Sequence, residues 1–163
     1  MDSRGDVAMT TPVTIRIQEA DVDVARETAL LTKGRTDIGA VVSFLGICRG
    51  TEGGGEISAL KLEHYPGMAE AEIERHVQDA VSRWPLQGLT VIHRFGRIEP
   101  GQNIVLVLTA SRHRQAAFEA AEFLMDFLKT AAPFWKQEEG AKDSKWIEAR
   151  AHDDAAAARW TKS

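Results

Sequence analysis

Leu89-Thr-Val-Ile-His-Arg-Phe-Gly-Arg-Ile-Glu-Pro-Gly-Gln-Asn-Ile-Val-Leu-Val-Leu-Thr-Ala110 reads as two apolar runs, 89–98 and 103–110, on either side of Glu99-Pro-Gly-Gln102. Both runs have strand composition and the segment between them is a turn signal, so they are predicted to close as an antiparallel hairpin. Ser111-Arg-His-Arg114 then opens a helix predicted over 115–130. In it Ala117, Ala120, Ala121, Leu124 and Leu128 recur at helical spacing, and Glu119, Glu122, Asp126 and Lys129 form the opposing polar stripe. No glycine fingerprint joins strand to helix. The order of elements therefore gives α+β with a mixed or antiparallel sheet, not a doubly wound fold.

Working toward the N-terminus, residues 68–84 form a helix closed by Pro85, and Pro66-Gly67 separates it from a strand over 57–65. That strand is expected to pair with a buried, valine- and isoleucine-rich strand over 38–47, across a flexible loop Gly50-Thr-Glu-Gly-Gly-Gly55. A short strand over 13–17 and a helix capped by Asp21 and running to about Leu31 precede Gly34. Residues 1–12 read as a disordered leader to one domain over 13–163. Toward the C-terminus come a polar segment over 137–144, a strand over 145–150 and an alanine-rich helix ending near Trp160.

Composition narrows the function. A chain of 163 residues with 44% hydrophobic content suits one core, and a net charge of −4 argues against a broad nucleic-acid or anionic-membrane surface. No apolar run approaches the length of a membrane span and nothing resembles a signal peptide. Cys48 is the single cysteine, which rules out an intrachain disulfide and suits a reducing cytoplasm. His64, His76, His93 and His152 share no metal-ligand spacing and read as core or surface residues; no metal site is expected.

The chemistry-bearing residues cluster around the helix over 115–130. Lys129 and Lys136 flank Pro133, which stops the helix and forces the backbone to turn between the two amines, a turn that allows both to face one pocket. Each also has a plain structural reading. Lys129 complements the negative helix end and pairs with Asp126, and Lys136 is a solvated lysine beside Trp135. His113 and Arg114 oppose the dipole at the helix start, which points to a compensating anion. Arg49 before the glycine-rich loop suits a phosphate or plain solvation. Cys48 adjoins Arg49, but strand alternation turns neighbouring side chains to opposite faces, so it reads as a buried, inert thiol.

Leu62-Glu-His-Tyr-Pro-Gly-Met68, Arg83-Trp-Pro85, Val91-Ile-His-Arg94, His113-Arg114 with Ala117-Phe-Glu-Ala120, Leu128-Lys-Thr130, Ala132-Pro-Phe-Trp-Lys136 and Trp146-Ile-Glu-Ala-Arg150 occur in this order. Together they resemble the large, catalytic subunit of molybdopterin synthase, from about Val13 to Trp160. The resemblance implies an α/β-hammerhead type of fold with an additional antiparallel β-sheet. It also implies transfer of sulfur from the C-terminal Gly-Gly thiocarboxylate of a small ubiquitin-like sulfur-carrier subunit to cyclic pyranopterin monophosphate. Two large subunits would form a central dimer with a small subunit at each end, a heterotetramer.

On this resemblance Lys129 is the central catalytic lysine and Lys136 the second lysine, beside the incoming glycine tail. Arg49, His113, Arg114 and Arg150 would bind the pterin phosphate, with Phe44 and Met125 lining the pocket, and His113, Arg114 and Arg150 would serve the neighbouring subunit's lysines. Two close ammonium groups lower each other's pKa, which suits one for acid or base work and leaves the other to stabilise developing negative charge. No cofactor, nucleic acid or membrane is implied. The competing readings are a noncatalytic module that binds an anion or a ubiquitin-like tail, and a sulfurtransferase working through Cys48.

Overall fold

The computed structural model describes residues 10–52, 54–140, 145–147 and 151–161. The expected leader falls mostly outside these residues. At its described end Thr11 donates from Oγ1 to Leu86 O (3.2 Å), and Pro12 O accepts from Leu89 N (3.0 Å).

Two sheets share the chain. The first has the order β1-β5-β7-β2, from Val13–Gln18 (β1), Leu86–Arg94 (β5), Asn103–Ser111 (β7) and Ala40–Ile47 (β2). β1 runs parallel to β5, and the other pairs are antiparallel. One face carries α2 (Met68–Arg83) and α3 (Arg114–Thr130). There Ile73, Val77 and Ala80 of α2 and Ala120, Phe123 and Leu124 of α3 close on Leu89, Val91, Val105 and Val107. The alternate residues Ile92, Leu106 and Leu108 point to the other face, where Val22 and the helix α1 (Val24–Thr32) cover them, as strand period two requires. The second sheet is antiparallel throughout. Its long strand β4 (Gly55–His64) pairs with β3 (Thr51–Glu52), β6 (Gly96–Ile98) and β8 (Phe134–Gly140), and β8 pairs in turn with β9 (Lys145–Ile147). Its small core is Cys48, Leu60, Leu62 and Ile98. Helix α4 (Ala151–Ala158) and a 3-10 turn Arg159–Thr161 end the described chain, with Trp160 donating to Asp126 Oδ2 (2.6 Å) and packed on Trp84 and Phe123.

The α+β reading, with its additional antiparallel sheet and the 89–110 hairpin, agrees with this architecture. Five local expectations are corrected. The strand over 38–47 pairs with β7 in the first sheet and not with 57–65: Cys48 N donates to Gln102 O (2.9 Å) and accepts at its carbonyl from Gly101 N (2.8 Å), so the chain leaves β2 along the β6–β7 turn. Nor is β2 buried in the single chain, because it is the last strand of its sheet, with Phe44 38% and Ile47 51% exposed. The run 89–98 is two strands, since Gly96 at φ 85° bends the chain from the first sheet into the second. Asp23, not Asp21, caps α1, accepting from Arg26 N at 3.0 Å. Residues 137–140 belong to β8 and are no loop, because they pair with Lys61, Leu60, Ala59 and Ile57 of β4, with a register shift at Ser58.

Gly39 stands where β2 begins, and its N–H donates to Ser111 O (3.0 Å). A Cβ there would lie 2.1 Å from the backbone oxygen of Arg112, which no side-chain rotation relieves. Gly39→Ala is expected to cost at least about 1–3 kcal/mol as an overpacking substitution. The urea midpoint, at unchanged slope, measures it.

Candidate active site at the end of α3

The 17 residues of α3 end where the sequence stops making helix. Ala131 N closes the last turn on Phe127 O (2.9 Å), Thr130 Oγ1 turns back to Asp126 O (2.9 Å), and Phe134 N bonds to Ala132 O (2.8 Å). The last of these bonds spans two residues and makes a γ-turn centred on Pro133, whose fixed φ suits it. Phe134 then pairs with His64 and Lys136 with Leu62 as β8 joins β4.

This turn delivers the two lysines from two layers. Lys129 is exposed in the last turn of α3, and the Asp126 carboxylate that the plain reading assigns to it accepts from Arg159 Nη2 (2.8 Å) and Trp160 Nε1 (2.6 Å). Lys136 is half-buried on the face of β8 shared with Glu138 and, across the ladder, Leu62 and Leu60. That face overlies Cys48. Burial pushes the Cys48 thiol up; Lys136 pulls it down and Glu138 adds to the rise. The raised pKa and the 5% exposure leave Cys48 a buried, largely protonated thiol.

At Phe134, where β8 begins, lies a cluster that sequence reasoning missed. His93, 7% exposed at the end of β5, stacks on Phe134 with ring centres 3.9 Å apart, and His64 touches both Phe134 (5.9 Å) and Phe95 (4.6 Å). Burial, opposed by the contact with Arg94 O and reinforced by the electrostatic influence of Lys129 and His64, pushes His93 down to about 4. The only signal in the sequence is that His93 sits in an apolar strand, one step out of phase with Ile92.

Arg49 is exposed just past β2, where Cys48 bonds to Gln102, and so lies at the β7 end beneath which α3 terminates. Phe44 pairs with Val107 and faces the α3 side of the sheet; Met125, 9% exposed, belongs to the core below that end of α3. His113 and Arg114 are exposed at the other end of the helix, about 22 Å from Lys129 of the same chain at ~1.5 Å per residue. His113 is the N-cap, no acidic residue occupies the first turn, and Ser111 Oγ donates to His113 O. Among the described residues no side chain caps that helix start, whose first N–H groups have no partner within the helix. Arg150 lies outside the described residues. A single chain thus gathers Arg49, Lys129 and Lys136 at one end and leaves His113 and Arg114 at the other.

A cavity of about 380 Å³ opens on the far face of the first sheet, between α1 and β1. Of its charged walls, Arg16 pairs with Glu27 and Arg35 with the neighbouring Asp37, and Lys33 stands exposed at the rim. Among the described residues no group of three His, Cys, Asp or Glu side chains is placed to hold a metal ion, and no helix is long and apolar enough to cross a membrane.

The family model of the MoaE protein matches residues 17–131. The chain belongs to the MoaE family. It is 64% identical over 152 residues to the molybdopterin synthase catalytic subunit of Mesorhizobium japonicum, covering 92% of this chain and 94% of that one. With the molybdopterin synthase catalytic subunit of Rhizobium meliloti it shares 61% over 156 residues, 94% and 99% of the two chains. The solved molybdopterin biosynthesis MoaE protein from Burkholderia ambifaria superposes with a TM-score of 0.78 at 43% identity, over 93% of this chain and 99% of that one. The MoaE match spans Phe44, Arg49, His113, Arg114, Met125 and Lys129 and stops before β8 and Lys136.

Proposed function

We propose that this MoaE-family chain is the catalytic subunit of a molybdopterin synthase, a sulfurtransferase of molybdenum cofactor biosynthesis. It takes sulfur from the C-terminal thiocarboxylate of a small ubiquitin-like subunit and places it on cyclic pyranopterin monophosphate, forming the dithiolene of molybdopterin. The observation that carries this reading is the helix stop at Pro133, which brings Lys129 and Lys136 to one end of a chain of this family. One amine moves a proton to or from the reacting groups. The other stays charged and stabilises the oxyanion that develops on the thiocarboxylate carbonyl.

Arg49, His113, Arg114 and Arg150 hold the pterin phosphate, with Phe44 and Met125 as the apolar wall. The length of α3 supports a pocket built from two copies, since His113 and Arg114 are too far from their own Lys129 to share a phosphate with it. The edge strand β2, with Phe44 and Ile47 exposed, and the exposed Phe118 on α3 offer a face for the second copy. The assembly is a dimer of large subunits with one small subunit at each end. The small subunit's Gly-Gly tail enters a channel too narrow for side chains and is held by main-chain hydrogen bonds. The working unit is one domain, residues 13–163, in the cytoplasm.

Purified chain mixed with thiocarboxylated small subunit and cyclic pyranopterin monophosphate is expected to yield molybdopterin. The same mixture with an ordinary carboxylate tail should yield none. Tail binding without product in the first mixture would favour the noncatalytic module. Cys48→Ser distinguishes the remaining alternative. It is expected to keep turnover within about threefold of the parent, with a stability cost of about 1–3 kcal/mol for a hydroxyl set in the Leu60, Leu62 and Ile98 cluster. Loss of turnover in the folded variant would restore Cys48 as the sulfur carrier.

A further inference from the structure

His93 has a fixed tautomer. Its Nδ1 lies 2.8 Å from Arg94 O, a carbonyl that only accepts, so Nδ1 carries the proton and Nε2 keeps the lone pair. The residue that supplies this carbonyl is itself held. The Arg94 guanidinium, on a residue 6% exposed, donates from Nε and Nη2 to Glu19 O (3.0 and 2.8 Å) and from Nη1 to Asn103 O (2.9 Å). The imidazole therefore stands on a rigid base.

Its surroundings come from both layers of the site. The ring lies flat on Phe134, 15° from parallel, two residues before Lys136 in β8. Lys129 of α3 and His64 of β4 are the titratable side chains that act on it. A neutral ring with a lone pair attracts a nearby ammonium, whereas a protonated ring would repel it. Burial keeps the ring neutral at physiological pH.

We propose that His93 is a positioning residue for sulfur transfer, tying the Lys129 end of α3 to the Phe134–Lys136 start of β8 through its lone pair and its ring face. The proposal rests on the reading of Lys129 and Lys136 as catalytic groups. It gives a reason for a buried imidazole where a leucine would pack with no polar group to satisfy.

The test compares two substitutions in the complete complex with the small subunit. His93→Asn keeps a donor for Arg94 O and has nothing at the Nε2 position; His93→Gln places an amide oxygen near it. His93→Asn is expected to lower kcat about 10–100-fold with KM for the pterin within about threefold of the parent. His93→Gln should recover most of that loss. If His93→Asn does not fold, His93→Phe, which retains the stack on Phe134, takes its place with the same expectation. Equal behaviour of the loss variant and His93→Gln overturns the proposal, whether both match the parent or both lose activity in step with their thermal midpoints. Lys129→Ala, assayed beside them, separates the two claims. Turnover in that variant removes the reading on which the proposal rests; its loss alongside a fully active His93→Asn removes the proposal about His93 alone.

Discussion

Lys129→Ala is expected to lower molybdopterin formation by at least on the order of 10²–10⁴-fold, the range associated with loss of a positioned acid or base. The fold should hardly notice. Lys129 is exposed in the last turn of α3, where its favourable interaction with the helix dipole contributes about 0.3–1 kcal/mol. That turn keeps its own closures, from Ala131 N to Phe127 O and from Thr130 Oγ1 to Asp126 O. The substituted chain should therefore elute as the parent does, bind the small subunit with unchanged affinity, and fail at the chemical step. A single-turnover reaction with thiocarboxylated small subunit measures that step directly. Near-normal product formation would sink the catalytic role of Lys129, and joint loss of tail binding and turnover would make it an anchor.

Leu124→Ala should have the largest effect on stability. Leu124, 2% exposed, sits on the inner face of α3 in the core that Ile73 and Val77 of α2 share with Val105 and Val107 of β7. Truncating such a side chain removes its transfer free energy and leaves a cavity, at a cost of about 2–5 kcal/mol. Against the roughly 5–15 kcal/mol of a whole domain, that lowers the thermal midpoint by on the order of 10 °C. Leu30→Ala is the control: Leu30 is 62% exposed on α1, and its truncation should fall within about 0.5 kcal/mol of the parent. A loss below about 1 kcal/mol for Leu124→Ala would mean that α3 is not seated on the sheet by this face.

The parts of the fold that are legible in the sequence are those in which one period governs a whole element. In α3, alanines and leucines at helical spacing mark the buried face and Pro133 marks the stop, so residue order alone singles out the lysine pair. The hairpin of β5 and β7 is legible for the same reason. Less legible are places where the backbone changes partner without changing pattern. Apolar alternation runs on through Phe95 and Gly96, although the chain leaves one sheet and enters another there. In β8 the residues Gln137, Glu138 and Glu139 look like a loop because both faces of the strand are polar, and only the register with β4 reveals them as strand. The apolar composition of β2 speaks for burial, but in one chain β2 is an edge.

The candidate site residues can be picked from the sequence, but their arrangement cannot. Lys129, Lys136 and Arg49 lie toward one end of the fold, while His113 and Arg114 stand a helix length away, a separation that no motif states. The histidine cluster escapes sequence reasoning because imidazoles with no ligand spacing carry no local signal. His64 in β4, His93 in β5 and Phe134 in β8 meet only through the way the two sheets join.

The bend at Gly96 makes the proposed reacting end a seam between two layers of the fold. Lys129 is carried by the helix layer of the first sheet and Lys136 by the second sheet. Two short joints beside them set how those layers meet: the bend where β5 becomes β6, and residues 131–133 between α3 and β8. The gap between the amines is thus a dimension of the joints and not of any helix or strand. Lengthening or stiffening either joint would detune the pair while leaving each lysine in its own undisturbed element.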